Sequence, residues 1–116
     1  MEQKNNVIVD KSKTFALRII KLYKYLVNNK EYVLSKQILR SGTSIGANVK
    51  EAIHGQSKAD FYSKMNIALK ECSETEYWLE LLYESEFIDK RSFDNIYSDC
   101  KEILRILISI TKTQKK

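Results

Sequence analysis

The chain has no proline, three glycines, two cysteines and one histidine in 116 residues. Sandwiches and barrels need turn residues at the end of every strand, so this scarcity of proline and glycine excludes them. No apolar run exceeds four residues, far short of the ~20 that a membrane-spanning helix requires. Cys72 and Cys100 are too few for a secreted disulfide framework. Both are embedded in apolar patterns, where reduced thiols act as small core hydrophobes. Residues 1–10 are polar and lack the apolar stretch of a signal peptide, so the expected location is the cytoplasm.

Apolar residues make up 43% of the chain and charged residues 30%, the balance of a folded domain rather than a disordered one. A single domain over residues 1–116 follows from the length. Apolar positions recur at steps of three and four along four stretches, which predicts helices over about 12–28, 33–54, 58–84 and 90–111. Ser12 is the expected N-cap of the first. Its inward face is Phe15, Ile19, Leu22, Tyr23 and Leu26. The second helix turns Ile38, Ile45, Val49, Ala52 and Ile53 inward. Gly42 and Gly46 each weaken it by roughly 1 kcal/mol against alanine, a cost that implies close approach of another backbone. Gly55 fits a left-handed C-terminal cap. Ser57 with Asp60 resembles a capping box before the third helix. Ile88, Asp89 and Phe93 read as a hydrophobic staple around the N-cap of the fourth. The tail from Lys112 to Lys116 is expected to fray. The fold class is all-α, an elongated antiparallel up-down four-helix bundle.

The formal net charge of +5 is unevenly distributed. Residues 1–30 carry seven basic groups against two acidic, and residues 90–116 seven against three. Residues 59–89 reverse this, with two basic groups against eight acidic. Lys11, Arg18, Lys21 and Lys24 on the first helix, with Lys101, Arg105 and Lys112 on the fourth, form one basic surface if those helices are neighbours. Such a surface attracts phosphates with little sequence discrimination, and a solvated helix face is the plainer alternative. The acidic third helix has two candidate partners, the basic helices of its own bundle or a second subunit. Tyr25 and Trp78 lie off the core faces and suit base stacking or a protein interface.

Catalytic and metal-binding patterns are sparse. Glu51 and His54 make a Glu-x-x-His step, but a di-iron bundle needs two such pairs and this chain has one histidine. No nucleophile–histidine pair, phosphate-cradling glycine loop or nucleotide fingerprint is present. The expectation is a non-enzyme with no metal and no cofactor. Arg40, Ser44, Asn48 and Glu51 form a polar stripe along the second helix. It is either a solvated face or a hydrogen-bond network that fixes register.

The run LRSGTSIGANVKEA over residues 39–52 resembles the signature of four-helix bundle proteins related to those encoded in bacterial 23S ribosomal RNA intervening sequences. So do QSKADF over 56–61, NIALKE over 66–71 and ETEYWLELL over 74–82. The resemblance spans about residues 12–110 and assigns Arg40, Gly42, Ser44, Gly46, Asn48, Glu51 and Gly55 to the family motif, in packing or interface roles. Gly46 stands where many members carry proline. The resemblance implies an up-down bundle assembled as a homopentamer, and a related branch, the accessory variability proteins, binds nucleic acid. The function so implied is a homo-oligomeric bundle that binds RNA or DNA through its basic helices. The alternative is a protein-interaction or scaffolding module that binds none.

Overall fold

Steps of three and four separate the buried residues of every long segment, and each forms a helix around that stripe. A computed structural model describes residues 2–115, with α1 over Glu2–Asn28, α2 over Leu34–Ile53, α3 over Lys58–Glu84 and α4 over Lys90–Lys112. One 3-10 turn, Thr113–Lys115, follows. Short connections make consecutive helices antiparallel, and α4 returns against α1 to close an elongated bundle of 44 × 21 × 20 Å. Ile8, Phe15, Ile19 and Leu26 of α1 meet Ile38, Ile45 and Val49 of α2, Met65, Cys72, Leu79 and Leu82 of α3, and Cys100, Ile103, Leu107 and Ile110 of α4 in one core. Each fully buried leucine or isoleucine contributes roughly 1.5–3 kcal/mol, so this interior is the main source of stability.

Three helices start and stop within a residue of the expected positions. Ser57 caps α3 by accepting a bond from the Asp60 N–H at 3.0 Å, and Asp89 caps α4 by accepting from the Ser92 N–H at 2.8 Å. The first helix differs. It begins at Glu2 rather than at Ser12, because Ile8 extends the inward stripe about two turns beyond Phe15. Ser12 is therefore no cap but a buried residue inside α1, its hydroxyl donating to the Val9 carbonyl at 3.2 Å. The tail also departs from expectation. Thr113 hydrogen-bonds the hydroxyl of Tyr62, and Gln114 accepts from Asn66 at 3.2 Å, which holds the chain end against α3 as far as residue 114. Lys116 lies outside the described residues. Ile53, expected in the core, is exposed at the end of α2.

The loop chemistry falls on other residues than the glycines. Gly55 is not left-handed, nor is any described glycine. A Cβ there would meet the Ala52 carbonyl oxygen at 3.1 Å and the Phe61 nitrogen at 3.3 Å, so crossing backbone keeps this residue small. Lys30 and Glu86 take the left-handed conformation instead, with φ of 66° and 69°. Each ends its helix with paired bonds, Glu31 N–H to the Leu26 carbonyl at 2.9 Å and Phe87 N–H to the Leu82 carbonyl at 2.9 Å. Glu31 then turns its buried carboxylate on the start of α2, accepting from the N–H groups of Val33 at 3.2 Å and Leu34 at 3.0 Å.

Gly42 and Gly46 both face α1, but they do different things. A Cβ on Gly42 would sit 2.8 Å from Cγ1 and 2.9 Å from Cγ2 of Ile19, whereas one on Gly46 would meet Ser12 at an ordinary 3.4 Å. The neighbouring backbone expected at both glycines is found at Gly46, where the Ser12 carbonyl lies, while the tight contact at Gly42 is with the Ile19 side chain. Gly42→Ala is expected to destabilise the fold by about 1–3 kcal/mol through overpacking. Gly46→Ala is expected to be neutral or stabilising by up to about 1 kcal/mol, since helix propensity is regained without a clash. Urea denaturation of the two variants checks this, and equal losses would contradict it.

Candidate nucleic-acid interface

The neighbours required for a shared basic surface are present, since α4 packs against α1. The cations nevertheless divide between two flanks of α4. Asn95, Asp99 and Glu102 recur at steps of four and three on the flank facing α1. There Glu102 takes Lys11 at 3.2 Å, and Arg18 forks between Asp99 and the Asn95 side-chain oxygen, the latter at 2.9 Å. Lys101 lies on the opposite flank. It pairs with Glu76 of α3 at 3.2 Å and packs 5.3 Å above the ring of Tyr97. Arg105 and Lys112 follow Lys101 at helical steps of four and seven and are exposed on that same side. Lys24 points outward on α1. The seven residues do not form one surface, because three are ion-paired and the row on α4 faces α3.

A different set of cations does converge. Toward the Asn28 end of α1 and the Lys90 end of α4, the seam opens into a groove of about 450 Å³. Its floor is apolar, from Leu22, Ile88 and Ile96, and its walls carry Arg18, Lys21 and Arg91. Tyr25 lines it with half of its surface open to solvent. Arg91 and Lys90 fall in the first turn of α4, where the helix dipole adds positive potential. Two carboxylates near this end are already committed: Asp94 takes Lys90 at 2.6 Å, and Asp89 caps the helix. The Ser92 backbone bond is the main reason the Asp89 carboxyl is held below its ordinary value, with Arg91 adding to it. Higher along the same seam the character changes, and Asp10, Asp99 and Glu102 surround a smaller cavity of about 220 Å³. The charge pattern by segment could not separate these regions, because it could not tell which α4 flank faces α1.

The motif residues of α2 form a seam with α3. Arg40 reaches Glu71 at 3.2 Å and also Glu74, which raises the guanidinium pKa, chiefly through the Glu74 bond. Glu51 pairs with Lys64 at 2.9 Å, so its carboxylate is engaged across the seam rather than with His54. Between them, Ser44 donates to the Arg40 carbonyl at 2.6 Å and Asn48 to the Ser44 carbonyl at 2.8 Å, both bonds within α2. The stripe thus joins α2 to α3 at its ends and closes on its own helix in the middle. Trp78 is half-buried and donates to Glu74 at 3.1 Å, which leaves Tyr25 as the open aromatic of the two.

The acidic third helix finds its partners inside the bundle. Besides Arg40 and Lys101, it receives the Tyr97 hydroxyl on Glu80 at 2.6 Å. That bond, then burial, raises the Tyr97 pKa above its ordinary value. Cys72 and Cys100 meet in the core with sulfurs 3.8 Å apart, each thiol directed at the other's backbone carbonyl. The bond to Cys72 and burial push the Cys100 thiol far up, and both cysteines are buried packing groups.

These features define an antiparallel helical bundle whose acidic groups are largely spent on internal pairing and whose α1–α4 seam carries Lys21 and Arg91 at one end. The chain belongs to the 23S rRNA-intervening sequence protein family, whose model matches residues 4–109. It is similar to a crystallised protein of unknown function from the S23 ribosomal protein family of Bacteroides thetaiotaomicron VPI-5482. That protein is 61% identical, the match covers 94% of this chain and 98% of that one, and the TM-score is 0.92. No curated protein matches.

The Tyr97–Glu80 bond has a pH signature. A folded-state pKa raised above the unfolded value contributes stability that is complete below about pH 10, the ordinary tyrosine value, and is lost as pH rises through the raised value. Tyr97→Phe keeps the ring stacked on Phe93 but removes the hydroxyl. Wild type is expected to exceed the variant in stability at pH 8, with the difference shrinking by pH 11. Guanidinium denaturation of both at the two pH values measures it, and a constant difference would count against the assignment.

Proposed function

We propose that the chain is a non-enzymatic, homo-oligomeric bundle, pentameric as the family resemblance implies, that binds RNA or DNA. The observation that carries the nucleic-acid reading is the convergence of Lys21 and Arg91 with Arg18 around one groove, where no carboxylate is among the lining residues. The basic patch belongs to the junction of α1 with the start of α4 rather than to the whole length of both helices. Self-association is supported by large apolar side chains bare on the single bundle. Leu17 is 59% exposed and Val33 70%, each the kind of surface that a second copy would cover.

Structured RNA is expected to bind at 50 mM salt and to weaken by about tenfold or more at 200 mM, the dependence produced by releasing a few counterions per site. Fluorescence anisotropy of a labelled hairpin across that range tests this. Absence of binding at 50 mM would overturn the reading and favour the scaffolding alternative, which the exposed Tyr32, Val33 and Phe87 at the same end of the bundle would serve. Native mass spectrometry after nuclease treatment tests the assembly. The expected mass is five times 13.6 kDa, and a monomeric mass across micromolar concentrations would refute it.

A further inference from the structure

We infer that the groove between α1 and the start of α4 takes an unpaired nucleotide of a single strand, with its base against Tyr25 and its phosphate between Lys21 and Arg91. This rests on the nucleic-acid reading above and narrows it to a class of ligand. Four features of the groove fit one nucleotide better than a duplex. Its volume of about 450 Å³ lies within the usual range for a site that encloses a small ligand. Its floor of Leu22, Ile88 and Ile96 is apolar and accepts a base face, whereas a duplex presents its phosphates outward and keeps its bases stacked within. Tyr25 is half exposed at the wall, and base–aromatic stacking accepts any base. The cations sit on both sides of the groove, Lys21 from α1 and Arg91 from α4, so a phosphate over the apolar floor meets charge from two helices.

Arg18 has a different part. Its guanidinium is already forked between Asp99 and Asn95, so it ties the two walls together and its charge is offset by the carboxylate. It is a positioning residue, and the ligand contacts fall to Lys21, Arg91 and Tyr25. The first turn of α4 places its dipole at the same wall, and the Ser92 N–H there is already satisfied by Asp89. The phosphate is therefore held by side chains rather than by a bare helix end.

The test compares a fluorescein-labelled 12-mer oligonucleotide with the same sequence as a duplex, both at 100 mM salt, using the full chain. The single strand is expected to bind at least tenfold more tightly. Tyr25→Ala is expected to weaken it by about five- to a hundredfold, while Tyr25→Phe retains binding and the duplex changes by less than twofold for either variant. Lys21→Gln and Arg91→Gln are each expected to weaken the single strand and to flatten its salt dependence. All three positions are solvent-accessible, and circular dichroism checks that the variants fold. Equal affinity for strand and duplex, with Tyr25→Ala without effect, would overturn this assignment while leaving a basic nucleic-acid-binding face intact. Displacement of the strand by a mononucleotide at comparable concentration would also overturn it, by making a free nucleotide the ligand. Failure of both probes to bind at 50 mM salt would remove the nucleic-acid reading and this assignment together.

Discussion

How closely α1 lies on α2 sets the rest of the bundle. Ile19 occupies the space that any side chain on Gly42 would need, and Ser12 lies against Gly46 one turn along α2. The two backbones therefore approach near the middle of the molecule, and α2 is fixed in register along α1. From α2 the order propagates through a buried bond, the Thr75 hydroxyl donating to Ser41 at 2.9 Å, and through the Arg40 and Glu51 pairs on the outer seam. The thiols of Cys72 and Cys100, small enough to meet at 3.8 Å, then bring α4 onto α3. Three of the four seams are closed in this way by small residues or by bonds between side chains.

The fourth seam, between α4 and α1, has no such close packing. It is the more sparsely packed junction, bridged by Lys11–Glu102 and Arg18–Asp99 at positions roughly one-third to one-half exposed. Pairs at that exposure contribute at most about 1 kcal/mol each, so they orient the helices more than they bind them together. An open seam is a cost in buried apolar area, and here it leaves two grooves of opposite character. The acidic one is occupied by its own bridging lysine, Lys11, whereas the basic one has no carboxylate in its lining. Lys21 and Arg91 thus lie where the packing is loosest, while acids of α3 pair with Arg40 of α2 and Lys101 of α4.

Much of the fold was legible in the sequence, since the information is local. Ser57 and Asp89 mark helix starts by their own side chains, and the three-and-four spacing of Met65, Ala68, Cys72, Thr75, Leu79 and Leu82 sets one face of α3 wherever that helix lies. The misreadings share a cause. Ser12 looks like a cap by residue type, and only α2 lying against it makes it an interior residue. Gly55 looks like a left-handed cap, and only the crossing backbone at Phe61 shows otherwise. The candidate site was less legible for the same reason. Charge spacing identifies rows on one helix, but which row faces a neighbour depends on helix rotation. Asn95, Asp99 and Glu102 take the flank of α4 facing α1, and Lys101 lies on the other. Arg91 was the missed residue, and its signal was available: a cation in the first turn of a helix, one step from the buried Ile88 that anchors that turn in the core.

The side chains of α1 sort into three rows along the helix. Ile8, Phe15, Ile19 and Leu26 point into the core. A second row, Arg18, Lys21 and Tyr25, advances by steps of three and four along the flank that forms the groove. Leu17 and Lys24, seven residues apart, share a third arc that faces solvent. Lys21 lies between the two arcs, four residues from Leu17, so a second copy covering Leu17 would reach the edge of the groove. In a ring assembled through the outer arcs, each copy would add an equivalent groove to the same particle. Weak contacts at single grooves would then act together on one strand, because after the first contact the others bind at the high local concentration set by the ring. Under that arrangement the assembly would multiply a modest net charge per chain.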